Sequence, residues 1–121
     1  MATFREPVEE LFEQALLAWS KPDMIRDSPS WNGHPKQRVL CEALAERISE
    51  SETLLYSGLS HDDQHVVAYC LLALSLGSSA RLCELPEALE TDKRHVTIIR
   101  GSFANQVQIG DLARELRKKL G

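Results

Sequence analysis

His61-Asp62-Asp63-Gln64-His65 is the stretch whose residue types and spacing come closest to chemistry. Four positions apart on a helix, the two imidazoles would share one face, as in the HExxH arrangement that binds zinc, with the following carboxylate as general base. Asp62 is one methylene shorter than the glutamate that base needs, and no later residue stands out as a third ligand. The simpler reading is a helix's first turn, acidic because of the positive end of its dipole. No metal and no cofactor is therefore assigned. Cys41, Cys70 and Cys83 lack CxxC spacing and stand among apolar neighbours, so all three are expected to be buried, reduced and structural. There is no Gly-x-Ser-x-Gly elbow, and glycines scattered at helix ends leave no backbone cradle for phosphates. The pairs Asp62/Asp63 and Glu50/Glu52 read as caps and solvated turns. No catalytic residue is assigned, and the chain is expected not to be an enzyme.

Two other groups suggest binding. Lys93, Arg94, His95 and Arg100, with Arg114, Arg117, Lys118 and Lys119, would form a basic patch if they packed together, and nucleic acid is the obvious ligand. Against it stand a pI of about 5.5, the lack of interleaved aromatics for base stacking, and the usual preference of Lys and Arg for a helix's last turn. The second group is the loop Ser28-Pro29-Ser30-Trp31-Asn32-Gly33-His34-Pro35. A tryptophan between prolines costs little entropy to hold in place, and tryptophan is enriched among binding hot spots. Trp31 tucked under its own loop is the plainer alternative. Charge favours a protein partner for this half: residues 1–60 hold 6 basic and 10 acidic side chains, whereas residues 61–121 hold 8 of each. Glu9, Glu10, Glu13 and Asp27 would steer a basic partner, and Trp31 would hold it.

These residues need a scaffold, and 121 residues with 43% hydrophobic and 26% charged side chains suit one globular domain, residues 1–121. The longest apolar run, 66–76, is too short to span a bilayer, and the start lacks the pattern of a secretory signal, so a cytoplasmic protein is expected. Val8, Leu11, Phe12, Ala15, Leu16 and Trp19 recur on one helical face from Pro7 to Trp19. Prolines at 22, 29 and 35 make 21–34 a loop, with one short turn around 23–26. A second amphipathic helix is expected over 35–49. Ser51-Glu52-Thr53 would open a third, which Gly58 closes in a left-handed cap. Ser60 to Asp63 resembles a capping box before a helix over 61–76 that is apolar on nearly every face and ends at Gly77. Pro86 breaks 78–89 into short turns. Branched residues at 96–99 predict a strand over 95–100, and 103–109 pairs back as a hairpin or forms an irregular loop. A last helix follows Gly110-Asp111. The fold class is mostly α: a compact five- to six-helix domain around the central apolar helix 61–76, with a small β-hairpin (about 95–109) before the C-terminal helix.

Leu54, Leu55, Gly58, Leu59, Asp62, Asp63, Val66, Ala68, Leu71, Ala73 and Leu74 together resemble one HEAT-type helical repeat over residues 53–76. No arginine follows the valine, and no second copy recurs at a fixed period. The resemblance implies a helical scaffold used for protein binding. The function expected from the sequence is a non-enzymatic protein-binding module, a stoichiometric neutralising or adaptor protein such as a bacterial toxin-immunity protein. Two alternatives stand beside it: a metal-dependent hydrolase using His61 and His65, and a nucleic-acid-binding regulator using the C-terminal basic residues.

Overall fold

A computed structural model describes residues 7–20, 25–26, 36–100 and 103–120. In chain order they form α1 (Val8–Trp19), β1 (Ile25–Arg26), α2 (Lys36–Glu46), α3 (Ile48–Ser57), α4 (Gln64–Leu76), α5 (Glu87–Glu90), β2 (His95–Arg100), β3 (Phe103–Gln108) and α6 (Ile109–Leu120). Two 3-10 turns, Gly58–Ser60 and Ala80–Glu84, join them. The chain is mostly helical, with an antiparallel hairpin before the C-terminal helix, as its periodicity predicts.

The core forms around α4, whose residues from Val66 to Leu74 are all buried. A helix apolar on every side can be satisfied only by neighbours on every side, and α1, α2, α3, α6 and β2 all pack against it. Its start differs from expectation. The 3-10 turn leaves His61 and Asp62 outside the helix, and Asp63 is the cap, its Oδ1 accepting from the His65 N–H at 2.8 Å. Its end differs too. Gly77 keeps a negative φ, and Ser78 is the left-handed residue at φ 54°. Ser78 N–H donates to Ser75 O at 3.0 Å and Ser79 N–H to Leu74 O at 2.9 Å, a Schellman closure with serine where glycine is usual. Gly77 is needed for closeness instead: a Cβ there would fall 2.7 Å from Ile48 Cγ1. Gly58 is alike, since its φ is −67° rather than left-handed, and a Cβ would fall 2.5 Å from Cys70 Sγ.

Helix α2 ends three residues earlier than expected because Arg47, at φ −112° and ψ 41°, bends the chain. Helix α3 therefore starts at Ile48 and Ser51 is not its cap. The buried Ser51 hydroxyl instead donates to Leu44 O at 2.6 Å, a second bond to a carbonyl in the last turn of α2 that also accepts from the Arg47 N–H at 3.2 Å. Beyond α4, Ser79 donates to Glu52 Oε2 at 2.7 Å, Arg81 stacks over the Tyr56 ring, and Tyr56 OH donates to Glu84 O at 2.6 Å. These contacts pin the 80–84 turn to α3. The turn buries Leu82 but leaves Cys83 exposed, which corrects the expectation that all three thiols are buried.

Strands β2 and β3 pair from His95↔Gln108 to Arg100↔Phe103, so 103–108 is a strand and not an irregular loop. Val96 and Ile98 alternate into the core. Ile25 and Arg26, expected in a turn, pair parallel to β2 at Ile98 and Ile99, making a three-stranded sheet of order β1-β2-β3. Helix α6 closes the domain by burying Ile109, Leu112, Ala113 and Leu116. Among the described residues, no helix is long and apolar enough to cross a membrane.

Candidate functional site

Helix α1 carries three of the acidic residues singled out from the sequence. Its inner stripe, Val8, Leu11, Phe12, Ala15 and Trp19, is buried. Trp19 is fixed on both sides: its Nε1–H donates to Gln37 O at 3.0 Å, and its ring stacks on Tyr69 with centroids 5.3 Å apart. With that stripe turned inward, helical geometry turns Glu9, Glu10 and Glu13 to solvent. Leu17 turns out with them and is 71% exposed. It follows Glu13 by one turn and Glu10 by two, so carboxylates and an apolar side chain share one stripe. Sequence reasoning missed Leu17; the available signal was that it falls outside the 8-11-12-15-19 period. Trp31 and Asp27 lie outside the described residues.

His61 and His65 do not share a helix face, because only His65 belongs to α4. Each ring is held locally: His61 Nδ1 accepts from the Asp63 N–H at 3.0 Å, and His65 Nδ1 lies 3.2 Å from Asp63 Oδ1. Among the described residues, no group of three or more His, Cys, Asp or Glu is placed to hold a metal ion. His61 does line an open cleft of about 370 Å³, opposite Leu89, Asp92 and Arg94. Arg94 grips the Asp92 carboxylate through Nε and Nη2, and its Nη1 donates to Asp62 O at 2.6 Å. The hydrogen bond from Arg94 holds the Asp92 carboxyl below the usual carboxylate range, against a smaller opposing effect of burial. The same bond raises Arg94. Arg94 and Asp92 are thus occupied with each other, and Arg94 straps the α5–β2 connection to the lead-in of α4.

Three of the basic residues, all arginines, are similarly engaged. Arg94 pairs with Asp92, Arg117 with Glu90, and Arg114 with Asp111 while also donating to Glu90 O at 2.9 Å. Lys93, His95, Lys118 and Lys119 are exposed, and the side chain of Arg100 lies outside the described residues. Arg114 and Arg117 therefore fasten α6 to α5. The thiols offer no nucleophile in the core: burial pushes Cys41 up to about 12 despite Arg38 nearby, and it raises Cys70 too, with Cys41 adding to the effect. Compared with protein-family models, curated protein sequences and solved structures, the chain finds no match in any of the three.

Proposed function

We propose that this chain is a non-enzymatic protein-binding module that receives a basic protein on the outer side of α1. Leu17 carries this reading. A single exposed leucine is ordinary, but one aligned with Glu10 and Glu13 pairs an apolar anchor with a charged rim, the usual division of an interface. The matching surface is an apolar notch flanked by lysines or arginines. Glu9, Glu10, Glu13 and Asp27 would steer that partner, and Leu17 and Trp31 would hold it once docked. Small size and an acidic N-terminal half suit a cytoplasmic adaptor or neutralising protein, with immunity against a basic toxin as the concrete form. The HEAT-type resemblance of residues 53–76 is in keeping with a scaffold for such contacts. The hydrolase reading has less support because His61 stands outside α4 with its Nδ1 engaged.

The test is association kinetics against the basic protein that co-purifies from the native source. Charge reversal of Glu10 and Glu13 should slow association and flatten its salt dependence. Leu17→Ala and Trp31→Ala should speed dissociation, on the order of tenfold each. Unchanged kinetics in all of these, with a defect from Arg114 or Lys118 substitutions instead, would place the interface at the other end of the chain.

A further inference from the structure

Among the described residues, one edge of the sheet is left without a partner strand. In the order β1-β2-β3, β3 is the outer strand on its side. Ile109 N–H donates to Arg94 O at 2.9 Å, so in the register of the hairpin the residues that bond across to β2 are Phe103, Asn105 and Val107. Ala104 and Gln106 stand at the alternate positions, and their N–H and C=O groups point away from β2. Among the described residues, no backbone bond reaches these groups from another element. Ala104, Asn105 and Gln106 are all exposed. Edge strands are normally blunted by a charged side chain, a proline or a bulge. β3 has none of these: Phe-Ala-Asn-Gln-Val-Gln carries no charge and no proline, and its register with β2 runs unbroken from Phe103 to Gln108.

We propose that this edge pairs with the same edge of a second copy of the chain, β3 against β3 about a two-fold axis, so that two sheets join into one. A two-fold axis sets identical strands antiparallel, and antiparallel strands exchange donors and acceptors in matched pairs. With the axis at Asn105, Ala104 of each copy lies opposite Gln106 of the other, and each offers the N–H and C=O that its opposite needs. Charge favours a second copy over the basic protein received by α1. An uncharged strand gives a cation nothing to bind, whereas its own copy brings no like charge against it. The two Asn105 amides meet at the axis, where each can both donate and accept. A contact confined to one edge is at the small end of interface sizes, so the dimer is of the transient kind. It does not involve α1, and it stands or falls apart from the reading of that helix.

The experiment is analytical ultracentrifugation of the full chain from about 10 µM to about 1 mM, with amide hydrogen exchange read by NMR at both ends of that range. The mass should rise toward that of a dimer. The Ala104 and Gln106 amides should gain at least about threefold protection with concentration, while Asn105 and Val107, already bonded to β2, should not change. Asn105→Lys should abolish both effects, since it sets two ammonium groups opposite each other at the axis. Gln106→Pro, which removes an outward N–H and none of the bonds to β2, should do the same. Thr53→Lys, the same charge change on the exposed side of α3, should leave both effects in place. Circular dichroism checks that each variant folds. A chain that stays monomeric at the highest concentration, a dimer that survives Asn105→Lys, or one that Leu17→Ala dissolves would overturn the inference. So would protection of Ala104 and Gln106 already present in the dilute monomer, because the edge would then be covered within one chain.

Discussion

Helices α1 and α4 are nearly equal in length and both rich in leucine, yet the protein uses them in opposite ways. α4 buries an unbroken run from Val66 to Leu74, whereas α1 buries one stripe and turns Glu9, Glu10, Glu13 and Leu17 outward. The difference lies in where the polar residues fall. Glutamates at three positions of α1 confine burial to a single face, while the middle of α4 holds no charge that would require one. Packing thus sets what each helix can do: substitutions in α4 act on stability, and those on the outer side of α1 leave stability nearly unchanged, as the association proposed for that side requires.

Denaturant unfolding of four variants would sharpen or break this division. Leu74→Ala should cost about 2–5 kcal/mol, because a fully buried leucine leaves a cavity among the surrounding helices; a loss under about 1 kcal/mol would mean that α4 is not central. Arg94→Met comes next, since it removes the partner of Asp92 and the strap to Asp62 O. Because the folded-state pKa of Asp92 is lowered, its contribution is present above the ordinary aspartate value and is lost as pH falls below about 4 toward the folded value. The wild type should therefore lose more stability than Arg94→Met across that acid window, and parallel pH profiles would refute the pairing. Ser78→Gly should stabilise by about 1 kcal/mol, by relieving a side chain in the left-handed region. Leu17→Ala should change stability by less than about 0.5 kcal/mol. A larger loss there would show that Leu17 belongs to the core and would undo the contrast with α4.

Long periodic elements were legible in the sequence. The stripes of α1, α4 and α6 and the branched run of β2 each repeat often enough to specify both type and inward face. Features made by single contacts were not. β1 is two residues long, too short for any period, and exists only because β2 offers it an edge. The start of α3 depends on a bend at Arg47, and Ser51 looks like a cap in sequence but serves the helix before it. Gly58 and Gly77 were readable as turn glycines, whereas their need arises from Cys70 and Ile48, distant in sequence. The candidate surface was half legible. The glutamates of α1 declared themselves by charge, but Leu17 sits beside leucines of the core and differs from them only once the packing is known.

The pairing of Ile25 with Ile98 has a consequence for how the protein is assembled. Hairpin β2–β3 joins strands that are neighbours in sequence, so they meet by a local search. β1 must instead find its edge across all the chain that forms α2 to α5, a closure whose entropy is recovered only by two residues of ladder. Such a long-range contact raises the contact order of an otherwise local, helical topology and makes the third strand a late addition. Until it docks, β2 presents unpaired backbone groups around Ile98 and Ile99, an edge at which another chain could pair.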